Sequence, residues 1–263
     1  MIKLISAGDS MISGSELAPT KTDGVGLTYP ALLSKMFNLD YTCLAVPGTS
    51  NDAIRRTVMN YTASQSNDVV LLVQWTFFNR YEFRLNYDTA QENSPWYSIN
   101  AWNVESESEI KRKLQNKNNP IAQEHLARLR KNYELGINDF AKTFFKHTGS
   151  EYTELYSALK EIVFLQYYLD SKQIPYVFTS SDSSLFDSNH FTLKNPDTTI
   201  TTLYQEINWS RWFKFPSQTD KFSGHGFYNW AMENNYPIGV THPLAESHRD
   251  AANLMKDCVY ALV

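Results

Sequence analysis

The sequence predicts an α/β protein in which helices cover both faces of a mostly parallel sheet. Three observations carry this. Short apolar runs of strand length alternate with stretches of helical periodicity along most of the 263 residues. One of those runs, DVVLLVQW at 68–75, is apolar without alternation, as a strand covered on both faces must be. The runs also end in turn-forming or polar residues: Gly8-Asp9-Ser10, Pro47-Gly48 and Trp75-Thr76. In such a sheet, ligands bind beyond the carboxyl ends of the strands, so these three loops are expected to converge on one place.

The elements follow in order. Residues 2–7 read as a buried strand entering a tight turn. Residues 29–37 (YPALLSKMF) have helical spacing, with Pro30 tolerated in the first turn. Residues 41–46 read as the second strand. Asn51 is the expected N-cap of a helix to about residue 62. After the strand at 68–75, the stretch 77–149 breaks the alternation. It holds a polar, aromatic-bearing segment (81–104) and a charged, helix-like one (106–145), and is expected to be an insertion or cap over one sheet edge within a single domain spanning 1–263. Its basic cluster, Lys111, Arg112 and Lys113, reads as a solvated helix face. Residues 151–172 form an amphipathic helix, 174–180 (IPYVFTS) the next strand, and 186–204 a loop rich in Asp, Asn and Thr. Residues 206–213 are ambiguous, 227–234 look helical, and 243–262 begin as a loop and become the last helix.

Composition narrows the function classes. With 42% hydrophobic and 20% charged residues the chain can build a sizeable core. A net charge of -4 supplies no global basic field for nucleic acid or an anionic membrane. Cys43 and Cys258 lie in apolar surroundings without a metal-ligand spacing, so neither a metal nor another cofactor is expected. The start, MIKLISAGDS, turns polar too soon for a signal peptide, and no apolar run nears the roughly 20 residues that span a bilayer. A cytoplasmic protein is the expectation. The 16 Tyr, 15 Phe and 6 Trp suit a bulky core, or a cleft whose flat faces stack on sugars or bases.

Two motifs carry chemistry. Ser10 ends a buried strand behind Gly8, whose missing side chain permits a tight turn that exposes the hydroxyl. A serine is a weak nucleophile until a base takes its proton. Thr241-His242-Pro243, just before the final helix, supplies an imidazole on an anchored loop.

Together these motifs resemble the SGNH (GDSL) hydrolases. Gly8-Asp9-Ser10 matches the block with the nucleophile, Gly48 in AVPGTSND the block with an oxyanion-hole glycine, and His242-Pro243 the block with the base. The resemblance implies a three-layer α/β/α flavodoxin-like SGNH fold with an inserted helical and aromatic cap, Ser10 and His242 as the catalytic pair, and backbone donors at Ser10 and Gly48. Two positions depart from the pattern. After the third strand, Gln74-Trp75-Thr76 stands where the family has Gly-x-Asn, leaving Thr76 or Asn79 as the further oxyanion donor. Gly239 stands three residues before His242, where the family has the aspartate that orients the imidazole. Glu246 and Asp250, or Asp182 or Asp187, are the candidates to replace it, beside a backbone carbonyl.

The sequence also resembles a divergent branch of SGNH-like proteins of tailed phages and marine bacteria, through Trp75, Thr76, Asn79, Arg80 and Glu82 and the C-terminal HPLAESH. Arg80 and Glu82 form an ion pair, or Arg80 holds an anionic substrate group. His248 is a second candidate base. Asp9 and Trp75 complete the supporting set. The resemblance implies an esterase or deacylase acting on a small-molecule or glycan ester, O-acyl groups on a carbohydrate foremost. Two alternatives stay open: a degenerate SGNH fold that binds a carbohydrate or nucleotide, and an acyltransferase using the same serine.

Overall fold

The computed structural model describes residues 2–18, 21–63, 68–85, 96–100, 104, 127, 130–187, 198–218 and 223–263. The elements in chain order are β1 (Lys3–Ala7), α1 (Lys21–Val25), α2 (Tyr29–Met36), β2 (Asp40–Cys43), α3 (Asn51–Ala63), β3 (Val69–Trp75), β4 (Tyr81–Arg84), β5 (Trp96–Ile99), α4 (Ile137–Thr148), α5 (Glu151–Ser171), β6 (Tyr176–Ser180), α6 (Thr198–Gln205), α7 (Phe227–Glu233) and α8 (Ala245–Tyr260). The chain divides into two compact units, Met1–Phe78 with Leu155–Val263, and Asn79–Glu154.

The first unit is built on a parallel sheet of order β2-β1-β3-β6. Every residue of β3 is buried, which is why its sequence shows no polar alternation. The register sets Leu4 beside Val70, Ser6 beside Leu72, and Leu72 beside Val177. Leu4, Val70, Leu72 and Val177 therefore share one face, where they pack with Tyr29 and Leu33 of α2 and Ala251, Ala252 and Met255 of α8. The connection from β1 to β2 runs one way along the sheet and that from β2 to β3 runs back. Right-handed crossovers accordingly put α2 and α3 on opposite faces. On the α3 side, Arg55 pairs with the buried Glu161 of α5.

The reversal between those two connections makes the crevice between β1 and β3 the topological switch point of the sheet. Gly8 and Thr76 leave the sheet there. A Cβ on Gly8 would stand 3.0 Å from the Gln74 carbonyl oxygen and 3.2 Å from the Gln74 Cβ. Only glycine lets the chain leave β1 this close to β3.

Three local expectations change. Asn51 is the first residue of α3 rather than its cap. Ser50 takes that part, its Oγ accepting the Ala53 N–H at 3.3 Å, and the Asn51 amide turns toward Thr76. Within the stretch expected to be loop, 198–205 is the helix α6, which turns one apolar residue, Ile200, into the interior. The ambiguous 206–213 contains a 3₁₀ turn at Trp209–Arg211, started by Asn208 accepting from the Ser210 N–H.

In the second unit β4 and β5 pair antiparallel, Tyr81 opposite Ile99 and Arg84 opposite Trp96. Tyr81, Ile99, Ile137 and Ala141 form its core. Phe144 of α4 meets Tyr81 at 4.8 Å and Phe83 at 5.2 Å between ring centroids, edge to face in both cases. Lys111, Arg112 and Lys113 lie outside the described residues. No described helix is long and apolar enough to cross a membrane.

Candidate active site

The site begins where β1 ends. Asp9 is completely buried. Its Oδ1 accepts from the Met11 N–H at 3.0 Å and the Gln74 amide at 3.3 Å, and its Oδ2 from the hydroxyls of Thr76 at 2.7 Å and Ser181 at 2.9 Å. A buried carboxylate is tolerated when its lone pairs are filled in this way. The four donors come from its own turn and from the ends of β3 and β6, so Asp9 ties the turn carrying Ser10 to two neighbouring strands. Beyond Ser10 the chain winds tightly, with Ser13 donating to the Asp9 carbonyl and Ser15 to the Ser10 carbonyl.

His242 arrives from the far end of the chain on a narrow loop. The Gly239 N–H donates to the His242 carbonyl at 2.8 Å and the Leu244 N–H to the Pro237 carbonyl at 3.0 Å, just before α8. The imidazole Nε2 lies 2.7 Å from Ser10 Oγ. Its Nδ1 lies 2.6 Å from Glu16 Oε1 and 2.9 Å from the Thr241 hydroxyl. Glu16 also accepts from the Thr241 hydroxyl at 2.9 Å and from the backbone N–H groups of Val240 and Thr241. Burial alone would raise the Glu16 pKa. The hydrogen bond and charge of His242, with the Thr241 donors, outweigh it and hold the carboxyl down at about 2.

Ser10 and His242, 232 residues apart, thus meet at hydrogen-bonding distance. Among the described residues, the N–H groups of Ser10 and Gly48 donate to no backbone carbonyl. Other expected site residues fall elsewhere. The Thr76 hydroxyl donates to Asp9, and its backbone N–H and carbonyl are both held by the Asn51 amide, so its hydroxyl proton is not presented to an oxyanion. Trp75 points away from Gln74 into the core, fully buried edge-on to Phe178 at 5.4 Å. It is a packing residue rather than a cleft wall.

His248 is buried between the Tyr29 and Phe227 rings and accepts the Tyr29 N–H on Nδ1 at 3.2 Å. Burial, reinforced by the charge of His242, pushes its pKa down to about 3, so it packs as a neutral ring and is not the base. Glu246 is exposed on the first turn of α8. Asp250 accepts from the Tyr236 hydroxyl at 2.6 Å, and Asp182 from Ser184. Neither these three nor Asp187 is a hydrogen-bond partner of His242, whose partners are Ser10, Glu16 and Thr241. Asn79, Arg80 and Glu82 belong to the second unit, with Glu82 in β4 opposite Ser98.

Sequence reasoning missed Glu16. The one signal was negative: Gly239 in place of an acid meant that a carboxylate, if any, had to come from elsewhere. Nothing in the pattern separates Glu16 from the rest of the 28 acidic residues. A further serine–histidine contact, Ser183 Oγ to His225 Nδ1 at 2.6 Å, was also unforeseen. At 3% and 5% exposure it is interior packing, out of reach of a substrate.

Fold and site together define a parallel α/β protein with a serine–histidine–glutamate array at the switch point of its sheet. Neither a family model nor a curated protein matches the sequence. Among solved structures, the chain is similar to a member of the lipolytic G-D-S-L family from Veillonella parvula, at 10% identity over 100% of both chains with a TM-score of 0.45. A psychrotrophic esterase from a Pseudoalteromonas species is similar at 7% identity over 98% of this chain and 97% of that one, with a TM-score of 0.49. An acetyl xylan esterase from the rumen bacterium Butyrivibrio proteoclasticus is similar at 14% identity over 99% of this chain and 64% of that one, with a TM-score of 0.46. What the site can do is set by this chain's own groups.

Proposed function

We propose that the protein is a serine esterase or deacylase in which Ser10 is the nucleophile and His242 the general base. The 2.7 Å approach of His242 Nε2 to Ser10 Oγ carries this reading. Ser10 Oγ attacks the ester carbonyl carbon while its proton passes to Nε2. The tetrahedral oxyanion takes the N–H groups of Ser10 and Gly48. On collapse the ester C–O bond breaks, and the leaving alkoxide takes the proton from Nε2. Water, deprotonated by the same nitrogen, then hydrolyses the acyl-serine and restores the site. Short O-acyl groups on a carbohydrate are the substrate class that the motif resemblance implies.

Thr76 tied to Asp9 favours a second reading. The site then has two backbone donors for the oxyanion, and each missing donor costs roughly 100-fold to 1,000-fold in turnover. In that reading the fold binds a carbohydrate or nucleotide without hydrolysing it. The test is labelling with a fluorophosphonate probe, alongside turnover of p-nitrophenyl acetate. The esterase predicts a stoichiometric adduct on Ser10 that disappears in Ser10→Ala and His242→Ala, and a kcat/KM that rises with pH, as an unprotonated general base requires. Full turnover by Ser10→Ala would remove the serine from the mechanism. Absence of labelling together with saturable glycan binding would favour the binder. An acyltransferase would label equally but transfer the acetyl group to an added alcohol in preference to water.

A further inference from the structure

We infer that Glu16 is the positioning carboxylate of His242, delivered from the nucleophile's own loop in place of an acid at position 239. The inference rests on the serine–histidine reading above and goes beyond it.

Four observations carry it. The imidazole is held at both ends, Nδ1 at 2.6 Å from Glu16 Oε1 and Nε2 at 2.7 Å from Ser10 Oγ. An ionised carboxylate only accepts, so the Nδ1 proton must point to Glu16, leaving the Nε2 lone pair facing the serine hydroxyl. That is the tautomer a general base needs. Secondly, the Glu16 side chain is 9% exposed, and its remaining lone pairs are filled by the Thr241 hydroxyl and by the backbone N–H groups of Val240 and Thr241. The carboxylate thereby grips the loop that bears His242 as well as the ring itself. Thirdly, Glu16 adopts a left-handed backbone, φ +66°. A side chain makes that conformation uncommon; Asn38, Gln173 and Asn235 share it just after helices, whereas Glu16 adopts it in the turn after the nucleophile. Fourthly, a Cβ built on Gly239 would collide with the Glu16 carboxylate. The absence of a side chain at 239 and the presence of the carboxylate there are one feature. The departure from the SGNH pattern at 239 is a relocation of the acid and not its loss.

The groups facing His242 are Ser10, Glu16 and Thr241, and the buried His248 senses its charge. Removing the Glu16 charge therefore takes away the principal support of the imidazolium. The closing experiment measures kcat/KM on p-nitrophenyl acetate against pH for the whole chain, for Ser10→Ala, and for Glu16→Gln. The expected result for Glu16→Gln is a 100-fold to 10,000-fold loss, roughly that of removing a triad carboxylate, with the acidic limb of the profile displaced to lower pH.

Purely structural damage would lower the rate without moving that limb. Gly239→Ala serves as the second variant, should Glu16→Gln fail to fold. It keeps the acid but displaces it, and a loss of at least 10-fold is expected with a limb displaced the same way. Proton NMR adds a readout independent of turnover: the far-downfield imidazole N–H signal of a histidine–carboxylate contact, present in the unaltered chain and absent from Glu16→Gln. If Ser10→Ala abolishes turnover while Glu16→Gln and Gly239→Ala keep both rate and limb, the inference about Glu16 is overturned and the serine–histidine reading stands. If Ser10→Ala retains turnover, the parent reading has failed.

Discussion

At the level of single residues, His248 and Glu16 tie stability to acid in two different windows. His248 is neutral when folded, with a pKa near 3, whereas an unfolded histidine titrates near 6.5. Between those values the unfolded chain binds a proton that the folded one refuses, so stability falls as pH drops from about 6.5 toward 3, by up to about 1.4 kcal/mol per pH unit. Glu16 acts lower. Its folded pKa near 2 against 4.5 makes its contribution complete above pH 4.5 and lost as pH falls toward 2. Burial and the charge of Glu161 raise the pKa of Asp52 to about 6, which works in the opposite direction, so the comparison must be made between variants. Urea unfolding of His248→Gln from pH 7 to pH 4.5 is expected to show lower stability at neutral pH and a shallower fall toward acid. Parallel curves for the two proteins would sink this account of His248. The meeting of Ser10 with His242 was legible because each stands in a short motif with a fixed offset from a strand or helix. Glu16 was not, because its role depends on a backbone conformation and a vacant Cβ more than 200 residues away, neither of which leaves a periodic trace.

Among the elements, the junction of β1 and β3 bears the tightest constraint. Gly8→Ala would set a methyl group 3.0 Å from the Gln74 carbonyl, where neither strand can give way without disturbing the Asp9 network. A loss of ~1–3 kcal/mol is expected, as for overpacking elsewhere. Turnover should fall at least ~10-fold as Ser10 shifts from His242, an effect of misplacement rather than of chemistry. Thermal melts and p-nitrophenyl acetate kinetics on one preparation would check both, and an unchanged melt would contradict the packing account. The four strands of the parallel sheet were readable from apolar runs, and β3 most clearly, because burial on both faces removes every polar interruption; β4 and β5, within the stretch read only as polar and aromatic-bearing, were not. Helix α6 escaped notice because its Thr-rich stretch sends only Ile200 inward, too little to mark a period.

For the whole molecule, the last helix packs against α2 and closes the core of the first unit. Ala251, Ala252, Met255 and Val259 of α8 pack in one cluster with Leu4 of β1 and Leu33 of α2. Met255→Ala is expected to cost about 2–5 kcal/mol. A global transition lowered without change of cooperativity, seen by chemical denaturation, would support a single core in the first unit. Two separated transitions within that unit would argue against it. The parallel sheet covered by helices was legible from the alternation of strand-length and helical segments, whereas the strand order β2-β1-β3-β6 leaves no mark in a linear pattern. The stretch 77–149 stood out because it breaks the alternation, and the second compact unit runs over Asn79–Glu154; that this stretch packs around a core of its own was not foreseen, since compactness depends on contacts that a linear pattern does not record.

Both ends of the His242 ring close on a segment only seven residues long, from Ser10 to Glu16. Any swing of the base-bearing hairpin must therefore break its two tethers in the same movement. A ligand that wedges between the hairpin and that short segment would part the ring from its hydroxyl and from its carboxylate in one stroke.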